Sequence, residues 1–341
     1  LFAVFSATDW AQHYYWKYLD ESHCLYDAEK AAAARDHFER IWEKVDEIIG
    51  RVRNSLADNV NLLLVSDHGF GPVDQTFYVN TWLEKNGYLA RRKNRSLAKR
   101  FNSAFYSTLE KAGGRVISKI PGLNGMARKI GQRLKPQPSE IIDIENSRAF
   151  ALRQNMTCGM IYIRSENAVD LENTREELKA RLLNLHNEFN LPFDVEVFNR
   201  EELHHGEKLH LAPALFFKVN DFRCAVDPRF SRKVLAQQPP VPSRSGGHRM
   251  NGIIMGAGPD IAREKIEAAD ITDIAPTLLY MMGHPLPPDM DGNVLKKLFF
   301  RKFNETKTDD SADFIQASKI MDLTRDDARK VQQRLVALGY L

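Results

Sequence analysis

The chain has 341 residues, 43% of them hydrophobic and 27% charged, with a net charge of +3. That composition suits one large or two ordinary globular domains with a sizeable core, and no apolar run approaches the ~20 residues that span a bilayer. Three scattered cysteines, Cys24, Cys158 and Cys224, argue against a disulfide framework and a cysteine-based zinc site, and fit a reducing compartment.

In chain order, "LFAVFS" (1–6) reads as a buried strand already under way at Leu1, so the sequence is expected to be the C-terminal part of a longer protein. It leads into "ATDWAQHYYWKYLD". From Ala28 to Val52 apolar residues recur every three or four positions (Phe38, Ile41, Trp42, Val45, Ile48, Ile49, Val52), which predicts an amphipathic helix. "NLLLVS" (61–66) is a second apolar strand. Continuous rather than alternating hydrophobicity points to strands covered on both faces. "FYVNTWLEKNGYL" predicts a short helix closed by Gly87.

Between Arg91 and Lys135 stand thirteen Lys or Arg against one acid, Glu110, so this stretch carries +12 and the remainder −9. Its loosely helical apolar spacing predicts an inserted group of helices, and its charge predicts contact with something anionic. Strands resume at "AFAL" and "GMIYIR", a charged helix covers about 171–189, and "FDVEVF" is a further strand. "NGIIMGAGP" (251–259) reads as strand and glycine loop. "DITDIAPTLLYMMG" reads as a helix with Asp273 at its cap, Pro276 in its first turn and Gly283 at its end. A polar stretch and a last helix close the chain.

The expected fold class is α/β, a mostly parallel central sheet flanked by helices, with the inserted basic helical segment. The expected divisions are 1–90, the first part of a metal-binding α/β core; 91–145, a basic insertion or lid; 146–300, the remainder of the core with His248; and 301–341, a polar linker and terminal helix.

Two Asp and three His stand at strand exits or on a neighbouring loop. Asp9 and His13 are one helical turn apart in "TDWAQH". Asp67 and His68 end the second strand in "SDHGFGP", where glycines leave room to aim both side chains. His248 follows two glycines in "SRSGGHRMNG". Ligand sites in open α/β sheets gather at the carboxyl ends of strands. Nitrogen and oxygen donors without sulfur suit catalytic zinc, manganese or iron. Taken singly, Asp9 could be a helix cap, His13 a partly buried histidine and Asp67–His68 a polar turn; their joint placement favours ligation.

His204, His205 and His210 lack such placement and read as a surface loop. His23, His37, His186 and His284 read as structural or exposed. No P-loop, GxGxxG or GxSxG occurs, and Ser66 has no base that is not already claimed as a ligand. Phe101, Phe105 and Tyr106 lie among the basic residues, but nothing else favours nucleic acid.

Together "DWAQH", "SDHGFGP", "GGHRMNGIIMGAGP" and "DIAPTLLYMMGHPLPPDMDG" resemble the alkaline phosphatase superfamily, in its type I phosphodiesterase/nucleotide pyrophosphatase branch, which includes bacterial phosphohydrolases and phosphomutases. The resemblance implies an alkaline-phosphatase-like fold and two divalent ions, zinc or manganese. It assigns Asp9, His13 and His248 to one ion, and Asp67 and His68 to the other. It also implies a phosphorylated, anionic substrate and a Ser or Thr nucleophile, with a further Asp, ahead of Leu1. The catalytic nucleophile is therefore expected upstream, and these residues alone are expected to turn over little substrate. "LAPALFF" departs from relatives that carry an acid after the proline, which bears on substrate contact. The expected activity is phosphodiester or phosphomonoester hydrolysis. The alternatives are a phosphoglycerate-mutase-like phosphotransferase and a non-catalytic binding protein of the same fold. The basic stretch 91–135 is expected to act as a lid or to meet an anionic membrane.

Overall fold

A computed structural model describes residues 2–92, 141–152 and 158–303. The basic stretch from Lys93 onward and the terminal helix after Phe303, both expected from the sequence, lie outside these residues. The chain forms two compact units. The first is built from Leu1–Ala11, Asp36–Phe70 and Arg249–Leu341, and the second from Gln12–Arg35 and Gly71–His248.

The second unit centres on a seven-stranded sheet. Its strands are β3 (Gln75–Tyr78), β4 (Ala149–Phe150), β5 (Gly159–Ile163), β6 (Val195–Asn199), β7 (Leu215–Val219), β8 (Cys224–Asp227) and β9 (Leu235–Ala236). They run in the order β4-β5-β7-β8-β3-β9, with β6 also paired to β7. Helices α3 (Val79–Lys85) and α4 (Ala168–Leu183) pack on it. Leu178 and Leu182, four residues apart, turn the same face of α4 to the core and are fully buried. Phe77, Trp82, Leu215 and Phe217 fill the centre, with the Phe77 ring edge-on to Phe217 at 6.2 Å. Asn80 is buried without cost to its amide: its Nδ2 donates to the Ala151 and Pro228 carbonyls, and its Oδ1 accepts from the Ala151 N–H.

In the first unit β1 (Leu62–Val65) pairs antiparallel with β11 (Ile254–Ala257), Leu62 opposite Ala257 and Val65 opposite Ile254. Helix α7 (Ile274–Met281) brings Tyr280 against Ile261, Leu298 and Phe299 in a small core. The long helix α2 (Ala28–Ser55) appears where the periodicity placed it, as does α3, closed by Gly87 at φ +78°.

Three expectations are corrected. The class is α/β, but among the described residues β3–β8 is the parallel pair, and β1–β11, β3–β9, β4–β5, β5–β7, β6–β7 and β7–β8 run antiparallel. Continuous hydrophobicity does not report strand direction, which the connections set. "LFAVFS" forms no strand over residues 2–6, and Phe2 is 88% exposed; an apolar run becomes a strand only where a neighbour takes up its N–H and C=O groups. Finally, Asp270 rather than Asp273 makes the cap before α7, accepting from the Thr272 N–H at 2.9 Å. A 3₁₀ turn, Ile271–Asp273, comes first, and Asp273 instead accepts from the N–H groups of Asp270 and Asn293.

Candidate metal centre

Helix α1 (Ala7–Leu19) starts where the Trp10 N–H reaches the Ser6 carbonyl at 3.1 Å. Asp9 sits in its first turn, where the positive end of the helix dipole favours a carboxylate. His13 follows one turn later on the same face. In the second unit, strand β10 (Gly246–Arg249) carries His248, whose Nε2 lies 3.3 Å from His13 Nε2, the rings 5.1 Å apart. The other ring nitrogen of His13, Nδ1, lies 2.8 Å from the Gly246 carbonyl oxygen. A carbonyl can only accept, so Nδ1 carries a proton, and in the neutral ring the lone pair lies on Nε2, on the side of His248.

Because α1 is unbroken, Asp9 keeps its station one turn from His13. Asp9, His13 and His248 thus offer ligand atoms that all lie within 4.8 Å of one another. This donor set fits a divalent ion. Two nitrogens each about 2.0–2.1 Å from a tetrahedral zinc stand about 3.3 Å apart, the spacing found between the two Nε2 atoms.

Asp67 and His68 occupy the short link between β1 and β2 (Gly69–Pro72). The link is held from behind: the Ser66 N–H donates to the Ile253 carbonyl, and Ser66 Oγ accepts from the Ile253 N–H at 2.7 Å. His68 Nε2 lies 3.6 Å from Asp67 Oδ1 and 3.8 Å from Asp9 Oδ1. The His68 side chain is 20% exposed and that of Asp67 64%. The glycines here do not make a pliable loop. Gly69 opens a strand, and a Cβ on it would lie 2.1 Å from the Asn251 carbonyl oxygen. Glycine is required for close approach of two backbones, and the result is a stiff link. Asp67 and His68 join no group of three or more candidate ligands among the described residues.

The remaining histidines fall as their sequence context suggests. His204 stacks edge-on against Phe216, His210 Nδ1 meets the Glu207 carbonyl, and neither joins a metal-binding group among the described residues. His23 is buried, its Nε2 between the Val73 and Ser245 carbonyl oxygens at 3.0 and 3.2 Å and its Nδ1 accepting from the Leu25 N–H. Sequence reasoning passed over the Gly246 carbonyl and Ser245. A backbone acceptor has no residue signature, and the only trace of either is the "SGGH" run itself.

Over residues 1–204 the chain matches the family model described as type I phosphodiesterase / nucleotide pyrophosphatase. The matched span contains Asp9, His13, Asp67 and His68 and ends before His248. Comparison with curated proteins and with solved structures gives no match. The family is generally metal-dependent and hydrolyses phosphodiester or pyrophosphate bonds in anionic substrates, which accords with a sulfur-free Asp/His/His group. With the matched span covering more than half of its length, this chain belongs to the type I phosphodiesterase / nucleotide pyrophosphatase family.

Proposed function

We propose that this chain supplies the metal-holding face of a two-ion phosphohydrolase, with Asp9, His13 and His248 at one divalent ion and Asp67 and His68 at the other. The observation that carries the reading is the approach of the His13 and His248 Nε2 atoms to 3.3 Å, with the opposite nitrogen of His13 tied to a backbone carbonyl. Bound zinc or manganese would stabilise charge on the phosphoryl oxygens and favour deprotonation of an attacking hydroxyl. The chain's own residues do the rest. The Gly246 carbonyl keeps the His13 proton on Nδ1, so the ring presents a lone pair rather than an N–H. The dipole of α1 favours ionised Asp9. Asp67 and His68 leave the second ion in need of further ligands, and the reading requires a Ser or Thr nucleophile as well.

Zinc titration of the metal-free protein tests the first site. Wild type is expected to bind, and His13→Ala or His248→Ala is expected to weaken binding at least tenfold, since each removes a ligand; unchanged affinity in both variants overturns the assignment. Activity is to be measured on the metal-loaded full-length protein. Faster turnover of bis(p-nitrophenyl) phosphate than of p-nitrophenyl phosphate supports a diesterase, the reverse a monoesterase, and isomerisation of 3-phosphoglycerate a mutase. No turnover of any of the three sinks the catalytic reading and leaves a binding protein. We further propose that the basic stretch 91–135 attracts anionic substrate or an anionic lipid surface, on the strength of its charge.

A further inference from the structure

The segment 242–246 runs along one side of α1, and its contacts there are more than packing. The Ser245 N–H donates to the His13 carbonyl at 2.8 Å, and Ser245 Oγ accepts from the Lys17 N–H at 3.0 Å. His13 C=O and Lys17 N–H are the i and i+4 partners of one rung of the helical ladder. Ser245 therefore grips α1 at the turn that carries His13, through its N–H and its hydroxyl. The next residue, Gly246, gives its carbonyl to His13 Nδ1, and a Cβ on Gly246 would lie 2.3 Å from the Gln12 carbonyl oxygen. His248 follows two residues later on β10.

Ser245 is itself held from below. It is fully buried, and its carbonyl lies 3.2 Å from His23 Nε2 and accepts from the Val73 N–H at 2.8 Å. His23 Nδ1 accepts from the Leu25 N–H, so its proton is on Nε2 and is shared between the Ser245 and Val73 carbonyls. The neutral ring thus bridges the link after α1, the exit of β2 and the entry to β10.

We infer that Ser245, seated on His23, is a positioning residue for the metal centre: it locks the His13 turn of α1 to β10, so that the His13 and His248 nitrogens are held at ligand spacing before any ion arrives. The inference rests on the metal reading above and adds to it the device that preorganises the site. Partners that orient a ligating histidine typically change metal affinity 10–100-fold when removed. Ser245→Ala keeps the N–H contact and loses the Lys17 acceptor, so the lower end of that range is expected.

The test uses the metal-free chain labelled with 15N at histidine. In wild type, long-range 1H–15N correlation is expected to show a single His13 tautomer, protonated at Nδ1, and hydrogen exchange is expected to show a protected Lys17 amide. In Ser245→Ala the His13 signal is expected to become a mixture of tautomers, and zinc affinity to fall about tenfold, with unchanged far-UV circular dichroism. Ser245→Thr, which retains the hydroxyl, is expected to restore the single tautomer. Wild-type affinity and a single tautomer in Ser245→Ala overturn the inference. So does a freely exchanging Lys17 amide in the wild type, which decides the matter even if the variant does not fold. If wild type takes up no zinc, the metal reading falls, while the tautomer comparison still decides whether Ser245 orients His13.

Discussion

At Gly246 the main chain comes so near α1 that any side chain there would meet the Gln12 carbonyl and the Trp16 side chain. Gly246→Ala is therefore expected to cost about 1–3 kcal/mol in urea unfolding, the usual range for adding volume to a filled site. Because the Gly246 carbonyl orients His13, zinc affinity should fall with it; an alanine variant as stable as wild type would contradict the packing. The thiols give a second residue-scale prediction. Burial pushes Cys224 up to about 12 and raises Cys158 as well. In exposed Cys24 partial burial raises the pKa first, and the Asp74 carboxylate adds to it. Iodoacetamide at pH 8 should modify Cys24 before the other two, and Cys224 only after denaturation, as read by peptide mass mapping. At this scale the residue types of the candidate site were legible, because Asp and His just after an apolar run are visible in one dimension. The tautomer of His13 was not, since the Gly246 carbonyl that sets it lies 233 positions away along the chain.

Helices were read from the sequence more faithfully than strands. Helix α2 needs only its own 3.6-residue period and packing on one face, and its start at Ala28 coincides with the expected one. The charged helix expected over 171–189 begins earlier, at Ala168, because Asn167 caps it, its side chain accepting from the Asp170 N–H at 2.9 Å. Asn167→Ala is expected to destabilise the protein by about 1 kcal/mol, measurable by denaturant unfolding, with zinc affinity unchanged because no metal residue lies on α4. Strand direction eluded the sequence for a physical reason. The Leu215–Val219 run says that it is covered, but only the returning chain makes its pairing with Val195–Asn199 antiparallel.

For the whole molecule, charge is the dominant sequence-level feature, and only part of the basic stretch falls within the described residues. Arg91 pairs with Glu84 and lies 4.0 Å from the centre of the Phe230 ring, while Arg92 Nε donates to the Ile142 carbonyl at 3.0 Å. Both are built into the second unit, so altering them would perturb packing along with charge. Lys99→Glu with Arg100→Glu probes the proposed anionic contact. The pair is expected to reduce co-sedimentation with phosphatidylserine vesicles several-fold at ~0.1 M salt, and the difference should vanish near 1 M, where the screening length shrinks to about 3 Å. Equal binding by both proteins at low salt would end the membrane proposal. No helix among the described residues is long and apolar enough to cross a membrane.

Composition, helical periodicity and the order of four short motifs determined the class of this protein, its family and the residue types of its candidate site, because each is written in local spacing. What tertiary structure decided is how those residues meet. It set the 3.3 Å approach of two histidines 235 positions apart, the carbonyl that selects a tautomer, and the serine that grips a helix rung. The last two engage backbone groups that every residue carries, all three span more than two hundred positions, and no spacing rule along a single strand of sequence encodes them.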